Sequence, residues 1–302
     1  MNGKYTAEYI HKVLQECFPT LAVEQIDPLG AGYNCEAFLI NKQYVFKFPK
    51  NEKANDSLET EVRVLKFLEG KLPLSIPKIE FVCNESQSFP YRVIGYQQIK
   101  GRILTPQIYS SFTASEKEAL AKSLADFLRA LHAIPVPDSL KELEDDFVEG
   151  IRIDYNDIKK LVYDKLNDGA KEYTDNFYKA VLSDNDYKAD RIALIHNDLS
   201  CNHIVIDEQE NKAVGIIDFG DAAVTDVDLE FVYLIEDSDE EIGSDFGKRV
   251  LDYYCHKNLS LLMKKIKLKQ AGESFEKILF GNSMGLEDMF YEGLSELQQK
   301  GE

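Results

Sequence analysis

Residues 204–217 read as a β-hairpin: Ile204-Val205-Ile206-Asp207 runs out, Glu208 to Asn211 turns, and Ala213-Val214-Gly215-Ile216-Ile217 returns. Both arms are apolar and the turn is polar, the pattern that closes two strands on each other. A hairpin brings its two ends together, so His203 and Asp218 must lie side by side. His196-Asn197-Asp198 stands just upstream and Phe219-Gly220 just downstream. Any fold open to this chain therefore holds two carboxylates, Asp198 and Asp218, in one loop cluster. Phosphoryl transfer needs such a set: one carboxylate orients a hydroxyl and accepts its proton, and a second ligand set holds Mg²⁺. Asp198 is the expected catalytic base, and His203 with Asp218 the expected metal ligands. Asn is the usual residue type where His203 stands, because Mg²⁺ prefers oxygen, although an imidazole nitrogen can coordinate it. His196 reads as a brace for the loop, since the chemistry requires only one base.

The upstream half supplies elements that such chemistry needs. A first helix is expected over the opening 20 residues, with Thr6 as N-cap and Tyr9, Val13, Leu14 and Cys17 at helical spacing. Strands follow at Val23 to Leu29, Ala37 to Ile40 and Tyr44 to Pro49, the first two separated by the turn Gly30-Ala31-Gly32. A helix over 57–70 ends at Gly70, and two more strands run from Lys78 to Val82 and from Tyr91 to Ile99. Lys100-Gly101 then loosens the chain, which places a lobe boundary there: 1–100 as an N-terminal lobe and 101–302 as a C-terminal one. The second lobe reads as a strong amphipathic helix from Ser115 to His132, a helical insertion at about 138–190, strands at Ile192 to Ile195 and 205–217, and helices thereafter.

Lys47 lies on a strand just past the glycine turn, where its ammonium can reach α- and β-phosphates, and Glu61, 14 residues on, can hold it extended. Each alone reads as a solvated residue; their order ahead of Asp198 and Asp218 gives them meaning. Gly30 and Gly32 free backbone N–H groups for phosphate, although Cys35 stands where a third glycine would fall and the turn alone fits any hairpin.

Charge and composition exclude several classes. With 35 Lys+Arg against 53 Asp+Glu, the net charge of −18 repels nucleic acid and anionic membranes; it would draw in cations, although by itself it reads equally as acidic surface that keeps a soluble protein dispersed. No run of 18 apolar residues is present, and Met1-Asn2-Gly3 leads into a polar helix, so a cytoplasmic protein is expected. Five scattered cysteines without a C-x-x-C pair argue for a reducing compartment.

The stretches Val45-Phe46-Lys47-Phe48-Pro49-Lys50, Leu194 to Ser200, and Gly215 to Ala223 resemble the aminoglycoside phosphotransferases, relatives of protein kinases, and in particular their 2″-phosphotransferase branch. The resemblance spans nearly the whole chain. It implies an α+β, two-lobed, protein-kinase-like fold, with a small N-terminal antiparallel sheet and helix and a larger, mainly helical C-terminal lobe. It implies transfer of a γ-phosphate from GTP or ATP, with Mg²⁺, to a sugar hydroxyl of kanamycin- and gentamicin-type antibiotics. Branch members carry His at the place of His203. The nucleotide base would meet the backbone of Gln97 and Ile99, with Tyr96 behind it; a bulky aromatic there resembles members that favour GTP, and plain core packing explains it equally. Acidic residues would hold the antibiotic's ammonium groups: Asp221, Glu236, Asp239 and Glu240, beside Asp198 and Ser200. Phe290 and Tyr291 fit either the wall of that pocket or the core. The chain would act as a monomer on a cationic aminoglycoside.

Rival readings differ at named positions. A protein kinase lacks support because Asn197 stands where Arg would and no A-P-E follows Asp218-Phe219-Gly220. A macrolide kinase shares His203 but has less use for the carboxylates of 236–241. Kinases of choline or a sugar share the loop architecture, and a silent nucleotide-binding module would have lost Lys47, Asp198 or Asp218.

Overall fold

The structure is a computed structural model that describes residues 4–301, so Met1-Asn2-Gly3 and Glu302 lie outside the described residues. Its strands are β1 (Ile26–Ala31), β2 (Cys35–Ile40), β3 (Tyr44–Pro49), β4 (Ile79–Cys83), β5 (Val93–Gln97), β6 (Arg102–Ile103), β7 (Ile192–Ile195), β8 (Ile204–Ile206), β9 (Ala213–Ile216) and β10 (Ala223–Asp226). Its α-helices are α1 (Ala7–Cys17), α2 (Glu52–Leu68), α3 (Pro106–Ser110), α4 (Ala114–Ala133), α5 (Phe147–Val162), α6 (Asp168–Ser183), α7 (Val232–Ile235), α8 (Ser244–Tyr254), α9 (Leu259–Ala271), α10 (Glu273–Met284) and α11 (Glu287–Gln299). The residues form two compact units. One comprises the chain up to Ile134 together with His196–Ala222 and Tyr233–Cys255; the other comprises Pro135–Ile195, Ala223–Val232 and the chain from His256 on.

In the first unit a five-stranded antiparallel sheet has the order β1-β2-β3-β5-β4. Strand β3 shows why. Phe46 and Phe48 pack into an aromatic-rich cluster with Ile10, Leu14, Phe38 and Phe89, so α1 covers that face. The alternate residue Lys47 points the other way, opposite Ile94, which packs with Leu58 and Val62 of α2. Both faces of β3 are therefore covered, and a lysine is buried with only 6% of its surface exposed. Gly95 is required opposite Phe46: a Cβ there would lie 2.4 Å from the phenyl ring.

Thr6 caps α1 as expected, its hydroxyl accepting the Tyr9 N–H at 3.2 Å. Three details differ from the sequence reading. Helix α2 starts at Glu52 rather than 57, because Asn51 Oδ1 accepts the Ala54 N–H at 2.9 Å; the first turns are polar and carry no apolar period, and Glu61 consequently sits well inside the helix. Gly30 and Ala31 belong to β1, and the turn falls at 32–34, closed by the Gly32 N–H on the Cys35 carbonyl at 3.0 Å. The region after Ile217 is not wholly helical, since β10 pairs antiparallel with β7, Ala223 opposite Ile195.

The expected hairpin of β8 and β9 forms, with Ile204 opposite Ile216, and β6 adds a two-residue third strand to it. Helices α4 and α8 pack together within the same unit; α4 begins with a capping box between Thr113 and Glu116. In the second unit α5, α6, α10 and α11 share a core built from Ile151, Ile158, Tyr178, Phe275, Ile278 and Leu297. Phe290 packs against this core and Tyr291 is exposed. Behind β10, Lys265 is buried between Asp226 (2.5 Å) and Asp228 (2.7 Å). The fold is α+β, a small antiparallel N-terminal sheet with helices followed by a larger, mainly helical part. No helix among the described residues is long and apolar enough to cross a membrane.

Candidate active site

The chain leaves β7 at Ile195 and enters a loop that the fully buried His196 pins in place. Its Nδ1 accepts the Asp198 N–H at 3.3 Å, so the proton is on Nε2, which donates to the Ile217 carbonyl at 2.9 Å. The ring also packs 4.6 Å from that of Phe219. His196 is thus spent on holding the two ends of the hairpin together. Asn197 and Asp218 both adopt left-handed backbone, each with φ of 67°, a conformation that costs about 1 kcal/mol or more outside glycine and clusters at functional sites. The Asn197 amide stabilises this bend by donating to the Asp221 carbonyl at 3.0 Å.

The hairpin places His203 beside Asp218, as the sequence requires. The Ile217 N–H donates to the His203 carbonyl at 3.0 Å. Nδ1 of His203 donates to the Asp198 carbonyl, which can only accept, at 2.6 Å. In the neutral ring Nε2 is then the lone-pair nitrogen, and it lies 3.9 Å from Asp218 Oδ2. The Asp198 carboxylate remains partly open to solvent, 3.6 Å from the same imidazole. Ser200 is turned inward, bonded to Asn202 and 3.3 Å from His203 Nδ1, so it braces the loop.

Lys47 joins the sheet to this loop. Its Nζ lies 2.6 Å from Glu61 Oε2 and 2.9 Å from Asp218 Oδ1. Burial opposes the ammonium charge, but Asp218 and Glu61 outweigh it and hold Lys47 well above its ordinary value. Burial would likewise raise Asp218, and Lys47 with His203 reverses this, keeping the carboxyl well below the usual range. Glu61 shows the opposite balance: burial pushes it up to about 7 against the pull of Lys47. Its second oxygen, Oε1, is buried without a hydrogen-bond partner. The group carries one cation against two buried or half-buried carboxylates, with Asp198 nearby, and so favours a further positive charge.

The remaining candidates divide by location. A Cβ at Gly30 would meet nothing within 4 Å, and one at Gly32 only the Cys35 carbonyl at 3.8 Å, so the glycine turn is sterically open. Tyr96 is buried at 5% exposure on β5, opposite Val45. Gln97 is exposed at the strand end, and Ile99 packs over Gly215. Asp221, Asp239 and Glu240 are exposed and Glu236 is half-buried. Glu241, which sequence reasoning left inside an acidic run, accepts the Cys201 N–H through Oε2 at 3.1 Å, and burial pushes it up to about 7. The acidic segment is therefore fastened to the loop that carries Asp198 and His203. Its only sequence signal is being the last carboxylate before Ile242-Gly243.

A sequence model of the phosphotransferase enzyme family matches residues 25–264. The chain belongs to that family. As a phosphotransferase it aligns over nearly its full length with solved structures of the same kinase-like fold. The streptomycin–ATP ternary complex of APH(2″)-IIa is 28% identical, with a TM-score of 0.84, covering 98% of this chain and 97% of that one. The GDP and kanamycin complex of APH(2″)-IIIa is 26% identical, with a TM-score of 0.83, covering 97% and 98%. A type I macrolide 2′-phosphotransferase shares the fold at 19% identity and a TM-score of 0.71, covering 98% and 99%.

Proposed function

We propose that this phosphotransferase is an aminoglycoside O-phosphotransferase that moves the γ-phosphate of GTP or ATP to a sugar hydroxyl, the 2″-OH, of kanamycin- and gentamicin-type antibiotics and so confers resistance. The observation that carries the reading is the convergence of Lys47, Asp198, His203 and Asp218 beside a carboxylate-rich loop clasped to Cys201 of the loop that carries Asp198 and His203. The likeness to enzymes solved with streptomycin, gentamicin and kanamycin supports it, and the lower identity to a macrolide enzyme weighs against that rival.

The residues fit Mg²⁺. His203 Nε2 and Asp218 Oδ2 are 3.9 Å apart, within twice the ~2.1 Å of a Mg²⁺–ligand bond, so one ion can touch both and keep water and phosphate oxygens elsewhere. When bound, it would offset the charge of the transferring phosphate. Lys47 holds the α- and β-phosphates of the donor, and Glu61 keeps it extended. Gly30 and Gly32 offer backbone N–H groups, and Gln97 and Ile99 the backbone for the base, with Tyr96 behind. We assign GTP the preference on the bulk of Tyr96; both guanine and adenine nucleotides occur in the solved neighbours. Asp198 accepts the proton of the sugar hydroxyl as its oxygen bonds to the γ-phosphorus and the bond to the β-phosphate breaks. Asp221, Glu236, Asp239 and Glu240 attract the ammonium groups of the antibiotic, and the overall charge of −18 draws it in. Ser200 shapes the acceptor side of the loop. Residues 1–100 serve as the nucleotide-binding lobe and 101–302 as the catalytic one, working as a cytoplasmic monomer.

The test is to incubate purified protein with kanamycin, Mg²⁺ and either nucleotide and locate the phosphate by mass spectrometry and phosphorus–proton NMR. Monophosphorylation at the 2″ oxygen is expected. Phosphate on another hydroxyl would overturn the assigned position, and product from erythromycin but not kanamycin would overturn the substrate class.

A further inference from the structure

Cys201 opens the short turn Cys201–His203 that presents His203, and its N–H, at the start of that turn, finds its acceptor 40 residues away. Glu241 Oε2 takes that N–H at 3.1 Å, while the Cys201 thiol donates to the Glu240 carbonyl at 3.2 Å. Two bonds, both donated by one residue to a consecutive pair, fix register as well as distance. Cys201 is itself 4% exposed, so the clasp closes over a packed residue. Within the acidic loop and at its ends, Asp237 Oδ1 accepts the Ser244 N–H at 2.7 Å, the Glu241 N–H reaches the Ser238 carbonyl at 3.4 Å, and the Glu236 N–H reaches the Tyr233 carbonyl at 3.4 Å. Asp239 and Glu240 meanwhile leave their carboxylates exposed.

We propose that Glu241 is a positioning residue: it registers the acidic loop 236–243 on the catalytic loop, so that the exposed carboxylates and Asp198 face one substrate in a fixed relation. Its neighbours in the run attract the substrate's ammonium groups, whereas Glu241 is spent on a backbone amide. This rests on the aminoglycoside reading above.

The test compares Glu241→Gln, which keeps an oxygen acceptor for the Cys201 N–H but loses the charge, with Glu241→Ala, which loses both. Steady-state kinetics with kanamycin are expected to show KM about tenfold higher in the alanine variant, equivalent to one charge-assisted hydrogen bond, with kcat changed less, and near wild-type KM in the glutamine variant. Amide exchange of the peptide containing Cys201, measured without antibiotic, should quicken about tenfold in the alanine variant alone. Equal impairment of both variants would mean that the charge acts on the substrate directly and would overturn the proposal. Unchanged exchange in Glu241→Ala would overturn it as well. Wild-type protein inert towards kanamycin would sink the substrate reading, while the exchange result would still decide the clasp.

Discussion

His203 Nδ1 donates a hydrogen bond to the main-chain carbonyl of Asp198 across 2.6 Å. The bond fixes which nitrogen of the ring carries the proton and aims the other at Asp218, so that Asp198, the proposed base, also orients the proposed metal ligand. Imidazole favours softer ions than an amide oxygen does. With Mn²⁺ in place of Mg²⁺, wild-type protein is expected to keep or gain kcat/KM. His203→Asn should lower the Mn²⁺-to-Mg²⁺ ratio about threefold or more, and His203→Ala should lose about tenfold or more with both ions. Metal titrations of turnover in the three proteins check this.

Lys47 is held between Glu61 and Asp218, so its removal strips a shared cation from both carboxylates. Lys47→Met should reduce kcat/KM about 100-fold or more. It should also destabilise the fold by about 3–5 kcal/mol at pH 8. The pH dependence has a definite sign. Glu61 already sits near 7, above its ordinary 4.5, so the stability tied to its protonated form is present at low pH and is lost as pH rises through that value. Without Lys47 the loss between pH 6 and pH 8 should steepen, which thermal melts across that range would reveal.

Asp154 in α5 offers a test within the second unit. Burial pushes it up from 3.8 to about 6; Lys269 opposes this, while Glu276, Asp157 and Asp145 add to it. A raised carboxyl contributes stability below pH 4 and loses it as pH climbs past 6. Asp154→Asn should therefore melt higher than wild type at pH 8, by about 1–3 kcal/mol, and about equally at pH 4.

Two glycines separate packing from function. Gly95→Ala would drive a methyl into the ring of Phe46 and should cost about 1–3 kcal/mol of stability. Gly30→Ala meets open space and should change stability by no more than about 0.5 kcal/mol. If the end of β1 cradles phosphate, the same substitution raises the nucleotide KM; an unchanged KM would leave Gly30 an ordinary strand residue.

The parts legible from sequence were those specified by contiguous residues. The hairpin between His203 and Asp218 announces itself in two apolar runs, and with it come His196, Asp198 and the pair His203 and Asp218, proposed above as metal ligands. Lys47 and Glu61 could be paired only through their order relative to that hairpin, and they meet at 2.6 Å. The start of α2 was hidden because Asn51 caps a polar first turn, and β10 because four residues after a bend show no period. Glu241 was illegible for a different reason. Its partner is a backbone N–H, which every residue but proline has, so no side-chain pattern marks it.

The central claim is that Asp198 takes the proton of an antibiotic hydroxyl during phosphate transfer. The most direct measurement is nucleotide turnover with Mg²⁺ in the presence of kanamycin, comparing wild-type protein with Asp198→Asn, which preserves shape and removes the base. The account predicts antibiotic-dependent turnover in the wild type and a fall of about 100-fold or more in kcat in the variant, with nucleotide binding retained. Kanamycin-dependent turnover that survives in Asp198→Asn would contradict it.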